Sequence, residues 1–265
     1  MTALATAPHN DIDLRLTTPL VNNTPSFRAG AVSATASIRA NSIGAFDGPP
    51  GTGKTTCARY VARRCGRPAA VATMPHDPAP LDLLRHTHLA VTGRQLDDTR
   101  FHMQNTLKEV LSGWRGVLVI DELQNTQAKA MQELVWLHEE TNYAFALLVV
   151  GTGVLDAMAR YPQLLSRTMN SCIFRPLRGR DVIQTVMQLD PRLAATPAEV
   201  LAAHDQTACG GLLRRWTQTI RWLDALDVRG APTAEDFGSV RTQLPDIDSA
   251  AVAPTGRSRR GGRRR

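Results

Sequence analysis

Two short stretches contain the residues with the clearest chemistry. The first, GPPGTGKTT, fits the phosphate-loop pattern G-x-x-x-x-G-K-[ST]. Its glycines allow the backbone to curl so that successive N–H groups point at an anion, and the helix expected to follow adds a partial positive charge. The pattern predicts a site for the phosphates of a nucleotide, formed by Gly48, Pro49, Pro50, Gly51, Thr52, Gly53, Lys54, Thr55 and Thr56.

The second stretch, VLVIDE, is an apolar run that ends in two acids, Asp121 and Glu122, and its apolar residues predict a buried strand. Asp121 would then lie at the carboxyl edge of a sheet, where it could hold Mg²⁺ together with the Thr55 hydroxyl. Lys54 would reach the β- and γ-phosphates, and Glu122 could orient and deprotonate a water that attacks the γ-phosphate. Together the two stretches predict an ATPase that uses ATP and Mg²⁺, with Lys54 and Glu122 as catalytic residues.

A sheet must bring these stretches together, and the rest of the chain has the pattern of one. Short apolar runs without polar alternation predict parallel strands that are buried on both faces, at 43–46, 69–73, 116–121, 144–150 and 171–174. Helices are predicted before and between these strands, at 26–41, 53–65, 81–92, 99–112, 127–140 and 153–165. The predicted fold class is α/β, a parallel sheet flanked by helices.

After residue 177 the strand pattern stops. The helical segments that follow are predicted at 178–189, 197–204 and 210–226. From residue 227 on, Gly, Pro and Ser interrupt the sequence, and no further helix is predicted. We therefore divide the chain into an N-terminal arm and helix (1–42), a nucleotide-binding core (43–177), a small helical lid (178–243) and a disordered basic tail (244–265).

Composition and charge are those of a soluble globular protein with one basic end. The 265 residues are 43% hydrophobic and 21% charged, and the net charge is +7. The last nine residues, RSRRGGRRR, contain six arginines and no acid, so the remainder is nearly neutral. Such a tail could bind phosphate backbones without sequence preference, or it could be a solubilising end.

The cysteines show no C-x-x-C spacing and the chain has no secretory start, which predicts reduced thiols and a cytoplasmic location. No apolar run approaches the roughly 18 residues that span a bilayer, so no membrane partner is expected.

The phosphate loop, the acid pair and the helical back end resemble the AAA+ ATPases over about residues 30–225. The resemblance implies an AAA+ core with a helical lid, and roles for three further residues. Thr152, in LLVVGT, stands where the family often has a sensor-1 Asn; a hydroxyl orients water less completely than an amide, so hydrolysis is expected to be slow. Arg214, in GGLLRR, matches the sensor-2 pattern G-x-x-R, with Arg215 as the competing choice.

Arg167, in LLSR, stands just before the last strand, at the family's position for an arginine finger, and Arg160 is the alternative finger. A finger acts on the nucleotide of a neighbouring molecule. The resemblance therefore implies a homo-oligomer as the active form.

Four motifs in order, DELQN, LHEET, LLVVGT and SR, resemble the transposition-regulator branch of the AAA+ ATPases, which includes MuB, TniB and TnsC. The resemblance implies an ATPase that binds duplex DNA without sequence preference and assembles on it as a filament. It also implies recruitment or activation of a transposase with its accessory proteins, disassembly by hydrolysis, and a nucleoid-associated place in the cytoplasm.

Contacts to duplex DNA are expected to be few and to go to phosphates. The candidates are Arg94, Arg100 and Lys108, between the second and third strands, although each could instead be a solvated surface charge. Two other functions stay open: an AAA+ loader that delivers a replicative helicase, and a nucleotide switch in signalling.

Overall fold

The structure, a computed structural model, describes residues 24–245; the predictions for residues 1–23 and for the basic tail beyond 245 lie outside the described residues. The strands found there are β1 (Ile43–Asp47), β2 (Ala69–Thr73), β3 (Val117–Asp121), β4 (Ala146–Val150) and β5 (Thr168–Ile173). All neighbouring pairs are parallel, and the spatial order is β2-β3-β4-β1-β5. The carboxyl ends of β1 and β3 therefore lie on either side of β4, at the same edge of the sheet.

The helices of the described residues follow the strands in the predicted alternation. They are α1 (Pro25–Arg39), α2 (Lys54–Arg64), α3 (Pro80–Thr92), α4 (Arg100–Trp114), α5 (Ala128–Glu140), α6 (Val154–Ala159), α7 (Pro162–Ser166), α8 (Arg180–Val186), α9 (Pro191–Ala194), α10 (Ala198–His204), α11 (Leu213–Ala225) and α12 (Ala234–Gln243). A 3₁₀ turn at Leu123–Asn125 and a π-helical turn at Asp205–Cys209 complete the elements.

The sheet is covered on both faces, which explains its continuous apolar strands. Leu118 and Ile120 pack with α3 to α7, whereas Val117 and Val119 pack with α1 and α2. All four side chains are fully buried. The α/β fold, a parallel sheet flanked by helices with a helical C-terminal region, is confirmed.

Several element boundaries differ from the sequence prediction by one or more residues, two of them for a clear physical reason. β5 begins at Thr168, not 171, because it runs along the edge of the sheet with alternate residues exposed, and so lacks the continuous apolar pattern. The single helix predicted at 153–165 is two helices, because Pro162 cannot donate an in-helix hydrogen bond and instead starts α7. Helix α1, grouped by the sequence with the arm at 1–42, packs through Phe27 and Ile38 into the same cluster as the sheet.

A separate apolar cluster forms the helical region from Leu177 to Leu244. Its centre is the fully buried Trp216, whose ring lies edge-on to His204. The sequence analysis missed α12, because it predicted no helix after residue 227. A capping box at Thr233 starts this short helix, and only a few of its residues, including Phe237, are buried, so its apolar pattern is weak.

None of the helices among residues 24–245 combines the length and the hydropathy needed to cross a bilayer.

Candidate nucleotide-binding site

The phosphate loop follows β1 and requires glycine at two positions for different reasons. Gly48 has a φ of 140°, and a Cβ there would lie 2.1 Å from the carbonyl oxygen of Phe174. Gly51 has a φ of 82°, and a Cβ there would lie 2.8 Å from the Cβ of Arg214 in the lid. The loop is therefore wedged between the end of β5 and the start of α11, and a side chain at either glycine would push these apart.

The side chain of Lys54, the first residue of α2, points back into the phosphate loop. Its Nζ donates to the carbonyl oxygens of Gly48 (2.6 Å) and Pro49 (2.8 Å), and lies 3.4 Å from the Thr152 hydroxyl. Burial lowers the pKa of Lys54, an effect opposed by Glu122, Asp47 and Asp121. The ammonium is thus held where phosphate oxygens could replace the carbonyls as acceptors.

The remaining loop residues shape the bend. The buried Thr52 donates from its hydroxyl to the Pro49 carbonyl over 2.9 Å, Pro50 is exposed at the turn, and Gly53 and Thr56 are half-buried.

The predicted partnership of the two stretches is present as a direct contact. The Thr55 hydroxyl donates to Asp121 Oδ1 over 3.1 Å, although the residues are 66 positions apart. Asp121 ends β3 opposite Val150 of β4 and is only 5% exposed. Burial raises the pKa of Asp121, and the Thr55 hydrogen bond opposes this. A nearby cation would stabilise the ionised form of this buried carboxylate.

The oxygen donors at this point suit Mg²⁺, which takes one or two protein ligands beside substrate phosphates and waters. The described residues contain no cluster of three or more His, Cys, Asp or Glu side chains, so an all-protein cage for a different metal is not found among them. Thr55 and Asp121 would hold Mg²⁺ here.

Glu122 begins an abrupt turn at the end of β3. Its φ of 58° is in the left-handed region, and the 3₁₀ turn at Leu123–Asn125 follows at once. This turn leaves the half-buried Glu122 at the carboxyl edge of the sheet, one residue from Asp121. Its Oε2 accepts a hydrogen bond from the side-chain amide of Gln124.

Asp47, which the sequence analysis did not single out, joins the phosphate loop to the loop after β4. Asp47 Oδ1 accepts from the N–H groups of Gly48 (2.5 Å) and Gly153 (2.7 Å), and Oδ2 accepts from Leu155 N–H (3.0 Å). An acid directly before the first loop glycine was the available signal, but its partners Gly153 and Leu155 lie more than 100 positions away and depend on the sheet order.

Thr152, predicted at the sensor-1 position, is exposed at the edge of the site. Its N–H donates to Gln124 Oε1 over 3.2 Å, and its hydroxyl is the third neighbour of the Lys54 ammonium. Gln124 is the second residue that sequence reasoning missed.

In the lid, the geometry separates the two sensor-2 candidates. Arg214 N–H donates to the Gly51 carbonyl over 3.3 Å, so α11 starts directly on the phosphate loop, and the Arg214 side chain is exposed there. The Arg215 guanidinium instead donates to the carbonyl of Pro245. Arg214 is the candidate that lies beside the nucleotide site.

The two finger candidates also differ. The Arg167 guanidinium pairs with Glu139 and donates to the Gln163 carbonyl over 3.0 Å. Arg160 is exposed and forms no ion pair within residues 24–245. Neither arginine contacts the phosphate loop of its own chain, which suits a residue that acts on a neighbour.

The three candidate DNA contacts lie in different settings. Arg100 pairs with Glu133, which is 1% exposed, and Lys108 Nζ lies 2.6 Å from Glu140 Oε2. Arg94 is exposed and forms no ion pair within the described range.

Comparison with known proteins agrees with this geometry. Residues 38–158 match the protein family described as AAA domain, while no curated protein matches the chain. Cdc6p from Pyrobaculum aerophilum is 14% identical, with a TM-score of 0.68 over 91% of this chain and 74% of its own. ORC1 from Aeropyrum pernix, solved in complex with DNA, is 18% identical, with a TM-score of 0.60 over 86% of this chain and 68% of its own.

The RuvB Holliday junction branch migration motor from Thermotoga maritima is 15% identical, with a TM-score of 0.56 over 83% of this chain and 68% of its own. At these identities the likeness shows a shared fold. Residues 38–158 match an AAA domain, and the fold and the contact between Thr55 and Asp121 are those of a P-loop ATPase. The narrower resemblance to transposition regulators stays a prediction.

Proposed function

We propose that the chain is an ATP-dependent DNA-binding protein that assembles with copies of itself on duplex DNA and regulates transposition. The observation that carries the ATP-dependent part is the 3.1 Å contact between Thr55 and Asp121 beside the buried Lys54. This contact supports one site formed by both motifs.

Each residue of the site has a distinct task in hydrolysis. The loop N–H groups and Lys54 bind and orient the phosphates, and Glu122 accepts the proton of the attacking water. Thr55 and Asp121 would hold Mg²⁺, which would supply positive charge to balance the charge that develops on the transferred phosphoryl group. Arg214 closes the site from the lid.

Glu122→Gln tests this assignment most directly. The amide keeps the shape of the side chain but cannot accept the proton, so ATP affinity should stay and turnover should fall by about 100-fold or more. Glu109→Gln, on the exposed surface of α4, is the matched control and should turn over normally. Normal turnover by Glu122→Gln would remove Glu122 from the role of base.

A finger in trans makes the active form an oligomer. Arg167→Ala subunits retain Glu122, and Glu122→Gln subunits retain Arg167, so mixing the two inactive proteins should restore part of the activity. Arg160→Ala in the same experiment decides between the candidates: the true finger is the arginine whose loss is rescued by mixing. No rescue for either variant would argue against a finger at these positions.

Contacts to DNA are better supported on α1 and α2 than on α4. Asp47 is the single acid between residues 24 and 72, and its oxygens are occupied by backbone N–H groups. Arg39, Arg63 and Arg64 on these helices are exposed and unpaired with any acid of the described range. Phosphate contacts of this kind position a protein on DNA without reading sequence.

The transposition role rests on the motif order that resembles MuB, TniB and TnsC. The fold shared with Cdc6p and with ORC1 in complex with DNA favours a second candidate, a replication-type loader of a helicase.

One experiment separates these candidates: electron microscopy of the full chain with duplex DNA, with and without a non-hydrolysable ATP analogue, followed by transposase and helicase pull-downs. Analogue-dependent filaments with stimulated strand transfer would support the transposition role. Capture of a replicative helicase without an effect on strand transfer would support the loader, and particles that stay monomeric on DNA with the analogue would contradict assembly.

A further inference from the structure

The side-chain amide of Gln124 bonds both Glu122, the proposed base, and Thr152, in the loop after β4. Its Nε2 donates to Glu122 Oε2, and its Oε1 accepts from the Thr152 N–H over 3.2 Å. The proposed base and the loop after β4 are therefore connected through a single carboxamide.

The orientation of this amide has one self-consistent solution. The Thr152 N–H can only donate, so it must face the amide oxygen, and the ionised Glu122 can only accept, so it must face the amide nitrogen. A flipped amide would place two donors together and two acceptors together. Glutamine is the residue that supplies one acceptor and one donor at this reach.

The surrounding backbone is shaped around the Gln124 side chain. A Cβ at Gly151 would lie 1.8 Å from Gln124 Oε1, so the space for this oxygen exists because residue 151 has no side chain. Glu122 adopts a left-handed φ of 58°, a conformation that costs a non-glycine residue energy and persists where neighbouring contacts require it. The 3₁₀ turn that follows brings the side chains of residues 122 and 124 to the same edge.

The contacts extend to the phosphate loop. Thr152 carries both the N–H that binds Gln124 and the hydroxyl that lies 3.4 Å from Lys54 Nζ. A displacement of Lys54 or Thr152 by a bound triphosphate would therefore be passed through Gln124 to the Glu122 carboxylate.

We propose that Gln124 is a positioning residue that orients the Glu122 carboxylate toward the attacking water and couples that orientation to the loop carrying Thr152. The proposal rests on the proposed function, because Gln124 acts through Glu122. It also accounts for the absence of an amide side chain at position 152: the sequence has Thr where the resembling family often has Asn, and Gln124 places a carboxamide beside Thr152 from the turn that follows β3.

Two substitutions separate the two hydrogen bonds of the amide. Gln124→Glu keeps an acceptor for the Thr152 N–H but sets a carboxylate against Glu122, whereas Gln124→Met removes both bonds and keeps a similar volume. Gln127→Met is the matched control, because Gln127 is exposed and its amide bonds Asp77. The measurements are the ATP dissociation constant and kcat of the full chain.

Both Gln124 variants should bind ATP within about threefold of the parent and lower kcat by about tenfold or more, since each loses a hydrogen bond to a charged group. The double variant Glu122→Gln/Gln124→Met should be no slower than Glu122→Gln alone, because a residue that acts through Glu122 has no further effect once the base is gone. A merely structural role would instead add to the loss and weaken ATP binding.

The outcomes distinguish the failure of this proposal from that of the proposed function. Normal kcat in Gln124→Met together with an inactive Glu122→Gln would overturn the role of Gln124 alone, as would additive losses in the double variant. Full turnover by Glu122→Gln would overturn the assignment of the base, and the role of Gln124 with it.

Discussion

The two helical layers that cover the sheet differ in how some of their cations are paired. On the α3–α5 side, two cations pair with acids of the same layer: Arg100 with Glu133 and Lys108 with Glu140. On the α1–α2 side, Arg39 and Arg63 are exposed and have no acid partner within residues 24–245. A count of cations does not predict which face would bind phosphates; the pairing does, because a cation that is already paired with an acid is less available to replace counterions on DNA.

The largest effect is expected from removing charge on the α1–α2 layer. Arg39→Gln/Arg63→Gln/Arg64→Gln should lower the slope of log affinity against log salt by up to about 3, because each phosphate contact contributes roughly 0.9. These arginines lie in the last turns of their helices, where they also interact with the helix dipole. An unchanged slope with a lower melting temperature would mean that they serve only the helices.

How much of each layer the sequence could predict depends on how far apart in the chain the residues lie that determine it. The phosphate loop and the strands are local patterns, and even the distant Thr55–Asp121 contact follows from the rule that parallel strands end at one edge. The pairing of Arg100 with Glu133 is different, since it depends on how α4 and α5 are rotated against each other. The same limit hid Gln124, whose partners are set by a turn and by the register of β4.

Arg100→Gln should affect stability and leave DNA binding unchanged. Glu133 is 1% exposed and accepts from both Arg100 and Gln104, so loss of the arginine leaves a buried carboxylate with one donor. Because Arg100 itself is 56% exposed and water can enter, we expect a loss of about 1–3 kcal/mol in the free energy of unfolding. Denaturant unfolding checks this, and a reduced salt slope would contradict the separation of the layers.

Arg94 provides a further test because it is an exposed cation on the α3–α5 side that forms no ion pair within residues 24–245. Arg94→Gln should lower the salt slope of DNA binding by at most about 1, the contribution of one phosphate contact. The free energy of unfolding should not change, since the side chain is exposed and forms no ion pair in the described range. A decrease as large as that of the triple variant would place the DNA on the α3–α5 side instead.

Lys108→Gln should have the smallest effect. Its ion pair with Glu140 joins two side chains that are 41% and 42% exposed, and exposed pairs of this kind contribute about 0–1 kcal/mol. The pairing also keeps the ammonium from phosphates, so the salt slope should stay within error of the parent. Glu140→Gln is the informative counterpart: it frees Lys108 without changing it, and should raise DNA affinity slightly at low salt if that face ever approaches the duplex. If Glu140→Gln has no effect while the triple variant loses its slope, the contact to DNA involves the α1–α2 layer and not Lys108.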